Sequence, residues 1–165
     1  MSELGIPADY GSRRGLVFQA EASELVAIGT NTEGREVHVT PAAAAAWGLM
    51  KDRALSEGVV LVAHSGFRSI ARQEELIRAK IARGQPIDAI LKVMAAPGFS
   101  EHHTGNAIDI GVPDAPPLTE DFEGTGAFLW LGSHAKTFGF RLSYPRDNAH
   151  GIVYEPWHWF YTGSS

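Results

Sequence analysis

Apolar and polar residues change their spacing several times along this chain, and each change marks a different local structure. Leu16-Val-Phe-Gln, Leu25-Val-Ala-Ile and Glu36-Val-His-Val are short β-prone runs split by polar and glycine breaks, which predicts a small N-terminal β element. Thr40-Pro41 reads as an N-cap followed by a first-turn proline, opening a helix through the alanines and Trp47 to about Leu55. Val59-Val-Leu-Val-Ala-His64 is a continuous apolar run bounded by Gly58 and Gly66, the mark of a buried strand.

Ser69 caps a second helix, in which Ile70, Leu76, Ile77 and Ile81 recur at roughly helical spacing until near Gly84. Ile87 to Met94 predicts a third, broken by Ala96-Pro-Gly98. Asn106 to Ile110 reads as a strand, and Thr125 to Phe138 as a further helix stopped by Gly139. Ile152-Val-Tyr and Trp157-His-Trp-Phe-Tyr161 are β-rich. Helices interleaved with strands in irregular order favour an α+β fold over a repeating βαβ sheet.

Bulk properties narrow the picture. The 165 residues suit one domain with a single core, residues 1–165, with a β-rich segment over 1–40 and the chemistry-bearing part over 59–163. Hydrophobic residues make up 44% and charged residues 20%, as in an ordinary globular protein. The net charge of −5 comes without a block of like charges, so nothing points to nucleic acid or an anionic membrane. No stretch approaches the ~20 apolar residues of a membrane span. Met1 to Gly15 lacks the basic start and apolar run of a secretory signal. Localisation stays open between the envelope, the cytoplasm and a phage-encoded protein, and so does the oligomeric state. Cysteine is absent, so any zinc must be held by nitrogen and oxygen.

Two segments supply such atoms. Ser100-Glu-His-His-Thr-Gly-Asn-Ala-Ile-Asp109 has the pattern S-x-H-x-x-G-x-A-x-D, and Glu155-Pro-Trp-His158 has E-x-x-H. Together they offer two imidazoles, a ligand carboxylate and a spare carboxylate. Zinc enzymes use that inventory, with three protein ligands, a fourth position for water and a general base beside it. Either histidine of the first segment, taken alone, reads as a solvated loop residue. Gly105, however, allows the tight turn that would fold His102 and Asp109 onto one ion. Along the predicted strand, Ala107 and Asp109 share one face while Asn106, Ile108 and Ile110 share the other. Pro156 and its aromatic neighbours disfavour a helix around Glu155. On a straight strand Glu155 and His158 would face opposite ways, so a bend at Pro156 is required.

These segments, with Ser65-Gly-Phe-Arg-Ser69, Trp130-Leu, His134-Ala and Phe138-Gly-Phe, resemble the VanY-type D-alanyl-D-alanine carboxypeptidases. Vancomycin-resistance dipeptidases, L,D-carboxypeptidases and some phage endolysins share the pattern, which spans about Val59 to Gly163 here. The resemblance implies a compact α+β domain, hedgehog/D,D-peptidase-like, whose small antiparallel sheet carries the site between flanking helices. It implies one zinc per chain on His102, Asp109 and His158, with Glu155 as the general base. It makes Arg68 the cation facing the peptide carbonyl or the terminal carboxylate, and puts Ser100 and Gln73 near substrate. The implied partners are peptidoglycan stem peptides or muropeptides.

The implied activity is hydrolysis of the terminal D-Ala-D-Ala bond. An L,D-carboxypeptidase on tetrapeptide stems and an endolysin-like endopeptidase are alternatives, as is a metal-bearing binding domain without catalysis. Retention of Glu155 and Arg68 argues against the last, which has no use for a base. Phe160 departs from the family, which often has arginine there. His103 neighbours His102 but projects differently and is kept off the metal. His38, His64 and His150 are expected to be structural, and His134 to pack on its helix or support the site.

Overall fold

Side-chain caps start the two longest helices where the sequence expects them. In the computed structural model, which describes residues 2–163, Thr40 Oγ1 accepts from the Ala43 amide and Ser69 Oγ from the Arg72 amide. Each such cap is worth ~1 kcal/mol. The elements run in the order α1 (Tyr10–Arg13), β1 (Val26–Thr30), β2 (Glu36–Val39), α2 (Pro41–Ser56), β3 (Val62–Ser65), α3 (Ile70–Ala82) and α4 (Ile87–Val93). They continue with β4 (Ala107–Gly111), α5 (Gly126–His134), β5 (Phe140–Leu142) and β6 (His158–Tyr161). Short 3₁₀ turns at Glu101–Thr104 and Ala135–Phe138 fill two of the gaps. No described helix is long and apolar enough to cross a membrane.

The strands form two antiparallel sheets: a β1–β2 ribbon and a four-stranded sheet in the order β3-β4-β6-β5. The α+β expectation holds. Every residue of β4 is buried, because both edges are paired and both faces are covered. Ile108 and Ile110 send fully buried side chains to one face, joining Trp47, Met50, Leu131 and Phe140 in the main core. Burying an aliphatic side chain of this size contributes roughly 1.5–3 kcal/mol, which pins the register of β4. The alternate positions, Ala107 and Asp109, therefore face the other way. A second core of Leu4, Ile6, Tyr10, Ile77, Ile90 and Leu91 ties α3 and α4 to the N-terminal segment.

Several expectations need adjusting. Leu16 to Gln19 is not a strand; Val17 and Phe18 are exposed, and the Gln19 amide instead donates to Gly98 O at 2.7 Å. Ile152-Val-Tyr is likewise irregular. Gly151 at φ +64° turns the chain, and Val153 N donates to Lys92 O, away from any ladder. The strand expected over Val59–His64 narrows to Val62–Ser65, with Val60 exposed. The last long helix stops at His134 and tightens into the 3₁₀ turn. The β5 strand is only three residues long, too short to show alternation in sequence.

Candidate metal centre

Pairing of β4 with β6 sets Asp109 directly opposite His158 in the register. Both side chains leave the sheet on the face away from the main core. The 3₁₀ turn at Glu101–Thr104 brings His102 to the same place, and its C-cap is Gly105 in the left-handed region at φ +70°. Ser100 opens that turn, its Oγ accepting from the His102 amide at 3.3 Å. The expected bend at Pro156 is present: His158 N donates to Glu155 O at 3.2 Å, closing a turn that returns Glu155 to the side of its neighbour.

One ligand atom each from His102, Asp109 and His158 fit within 4.8 Å of one another. His102 Nε2 lies 3.3 Å from Asp109 Oδ2, and His158 Nδ1 lies 3.2 Å from Asp109 Oδ1. Two atoms on one tetrahedral zinc at ~2.0–2.2 Å stand about that far apart. The remote nitrogens are occupied elsewhere. His102 Nδ1 donates to Gly66 O at 2.7 Å, and His158 Nε2 to Glu101 Oε2 at 2.8 Å. Each imidazole thus leaves its other nitrogen facing Asp109, where an ion could bind it. Gly66 has no room for a side chain, since a Cβ there would run into the His38 carbonyl oxygen.

The electrostatics suit a cation. Asp109 Oδ1 is buried and faces the His158 ring nitrogen at 3.2 Å without a well-formed hydrogen bond, an atom that a cation would satisfy. Burial opposes ionising Asp109, but the two imidazoles beside it outweigh that and hold its carboxyl far below the usual range. Burial likewise keeps His102 neutral. It would do the same to His158, yet the carboxylates of Asp109 and Glu101 on either side draw that imidazole up to about 10. Among three carboxylates His158 holds a proton tightly, and a divalent ion on Nδ1 would take that proton's place. The donor set and its spacing fit zinc.

Glu155 Oε2 stands 3.6 Å from His158 Nδ1. Burial pushes its carboxyl up to about 7, with the charge on Asp109 adding to the rise and His158 opposing it. Its backbone is fixed by the bond from Glu155 N to Tyr144 O at 3.0 Å. A cleft of about 430 Å³ opens over these groups, between the Asp109 face of the sheet and the helices α3 and α4. Arg68, Gln73 and Ser100 all line it. Arg68 Nη1 donates to Gln73 Oε1 at 2.9 Å, while Gln73 Nε2 donates to Ala95 O at 2.7 Å. Gln73 is therefore engaged at both ends of its amide and holds the guanidinium at the cleft wall.

The remaining histidines sort as the sequence suggests. His103 donates from Nδ1 to Arg68 O and accepts at Nε2 from the Gly98 amide, a structural post beside the site. His134 stacks on Trp130 with centroids 4.5 Å apart. His150 is bonded to Arg14 O, His38 lies beside Glu36 at the surface, and His64 is buried on β3. Three residues escape sequence reasoning: Glu101, Ser143 and Arg141. They form a network behind His158 in which buried Glu101 accepts from the buried Ser143 Oγ and from Nη2 of the half-exposed Arg141. Phe160, opposite Arg141 in the β5–β6 ladder, underlies that guanidinium at 5.0 Å. Only the adjacency of Glu101 to His102 could have hinted at this.

Comparison with known proteins agrees. The family model "VanY: D-alanyl-D-alanine carboxypeptidase" matches residues 36–164. The chain belongs to the VanY family. A D-alanyl-D-alanine carboxypeptidase of Enterococcus faecalis (strain ATCC 700802 / V583) is 34% identical over 122 residues, covering 68% of this chain and 44% of that protein. The chain spans about half the length of the first curated relatives it matches. Among solved structures, the LdcB LD-carboxypeptidase superposes with a TM-score of 0.77 at 32% identity, over 87% of this chain and 70% of that one. A mutant of the vancomycin resistance D,D-pentapeptidase VanY, in complex with Zn(II), gives 0.67 at 27%, over 96% and 83%. VanY-family relatives thus include a zinc-bound structure, in keeping with the His102, Asp109 and His158 cluster.

Proposed function

We propose that this protein is a zinc D,D-carboxypeptidase that removes the terminal D-alanine from peptidoglycan stem peptides. The observation that carries the reading is a single cleft holding a three-ligand nitrogen and oxygen cluster, the Glu155 carboxylate beside it and the Arg68 guanidinium on its wall. His102 Nε2, Asp109 and His158 Nδ1 would hold one zinc per chain. When bound, zinc supplies Lewis acidity, acidifying water and polarising a carbonyl.

The chain's own residues supply the rest. Glu155, buried beside the proposed ligand His158, would accept a proton from the attacking water and deliver it to the leaving amine. Arg68, steadied by Gln73, faces the substrate's negative charge, on the developing oxyanion or on the terminal carboxylate. Ser100 lines the cleft wall, its Oγ capping the turn that carries His102. Val93, Met94 and Trp157 give part of the remaining wall an apolar surface suited to small alanyl side chains, with Lys80 and Tyr144 also lining the cleft.

The structural likeness to an LD-carboxypeptidase favours a second reading, removal of D-alanine from tetrapeptide stems. Mass spectrometry of pentapeptide and tetrapeptide muropeptides, each incubated with the zinc-loaded protein, separates the two. Loss of one alanine from the pentapeptide alone is expected; cleavage of the tetrapeptide alone would replace the leading reading with the second. Arg68→Ala is expected to slow the same reaction by ~10²–10³ if the guanidinium opposes the oxyanion. If it instead grips the terminal carboxylate, amidating that group should hurt the wild type far more than the variant.

A further inference from the structure

The proposed chemistry leaves one buried carboxylate unused. Glu101 is 9% exposed and is held from three directions. Its Oε2 meets His158 Nε2 at 2.8 Å and Ser143 Oγ at 2.5 Å, and its Oε1 accepts from Arg141 Nη2 at 3.0 Å. The Arg141 guanidinium lies in turn over the Phe160 ring. His158 is therefore gripped at one nitrogen by Glu101 while the other faces Asp109 at 3.2 Å.

A neutral imidazole carries one N–H and one lone pair, and the partner of one nitrogen decides where each resides. A carboxylate only accepts, so Glu101 holds the proton on Nε2 and leaves the lone pair on Nδ1. His102 uses the opposite arrangement, with its Nδ1 proton on the Gly66 carbonyl. The two imidazoles thus reach the same point through different nitrogens. Only the grip on His158 depends on a replaceable side chain.

Resting on the zinc reading above, we propose that Glu101 is a positioning residue for the metal, fixing the tautomer and ring angle that aim His158 Nδ1 at it. Ser143 and Arg141 keep the carboxylate in place. Glu101 touches neither the metal nor the substrate; it acts through His158.

The test is zinc affinity, measured by competition with a chelator, together with nitrogen NMR of the histidine rings in the zinc-loaded protein. In the wild type, the His158 ring proton should reside on Nε2 and exchange slowly. Glu101→Ala should weaken zinc binding by about 10- to 100-fold and free that proton to exchange. Glu101→Gln keeps an acceptor oxygen and should fall between the two. Arg141→Ala alters a half-exposed side chain and is expected to keep its fold even if Glu101→Ala does not. It should lose affinity at the low end of the same range. Unchanged zinc affinity in the folded variants, with His158 still protonated on Nε2, overturns the role of Glu101 but leaves the metal site standing. Failure of the wild type to bind zinc overturns both.

Discussion

Replacing Glu155 with glutamine is expected to leave a folded, zinc-binding protein whose kcat is lower by at least ~10². The amide has nearly the size of the carboxylate, and the backbone bond from Glu155 N to Tyr144 O does not involve the side chain, so the turn before His158 should persist. What disappears is a proton acceptor 3.6 Å from the nitrogen proposed to bind the metal. An amide cannot take up a proton at neutral pH. A factor of ~10² corresponds to about 2.7 kcal/mol of barrier, well above the scatter expected from packing changes of this size. Turnover of a pentapeptide muropeptide, zinc content and thermal midpoint measured on the same sample separate the cases. Near wild-type turnover in a folded, zinc-loaded variant would remove Glu155 as the base.

Removing the metal should be felt in the fold as well as in the chemistry. The proposed ligands come from the 3₁₀ turn, β4 and β6, so one ion would tie together segments about fifty residues apart. A ligand that binds only the folded state at 100 times its Kd adds ~2.7 kcal/mol, on the order of 5–10 °C in Tm for a chain of this size. Chelation should lower Tm by that amount and abolish turnover. In His158→Ala the same chelation should shift Tm far less. The variant's metal-free form will itself be weakened, because the buried Glu101 loses one of its three partners. The informative quantity is therefore the shift on adding or removing zinc, measured by calorimetry. An undiminished shift in His158→Ala would exclude His158 from the site.

Much of this was legible in the sequence because the signals were local. Thr40-Pro41 and Ser69 announced their helices through caps, and alternation over Ala107 to Ile110 separated the metal face of β4 from its core face. The bend at Pro156 followed from the opposition between strand geometry and the need to gather Glu155 and His158. Other features depended on partners that no local pattern encodes. The runs at Leu16 and Ile152 have strand composition but meet no ladder, and β5 exists because β6 offers it an edge. The Glu101, Ser143 and Arg141 network joins residues about forty apart, and the place of Phe160 under Arg141 follows only from the β5–β6 register. Gln73 was expected near substrate and does line the cleft, but its bonds to Arg68 and Ala95 required the fold to be seen.

The central claim, that His102, Asp109 and His158 gather one zinc beside Glu155, is tested most directly by anomalous diffraction at the zinc edge from crystals of the zinc-loaded protein. One peak per chain is expected, within bonding distance of His102 Nε2, an Asp109 carboxylate oxygen and His158 Nδ1, with Glu155 next to it. A peak at another cluster, or none in the cleft at full zinc occupancy in solution, would contradict it.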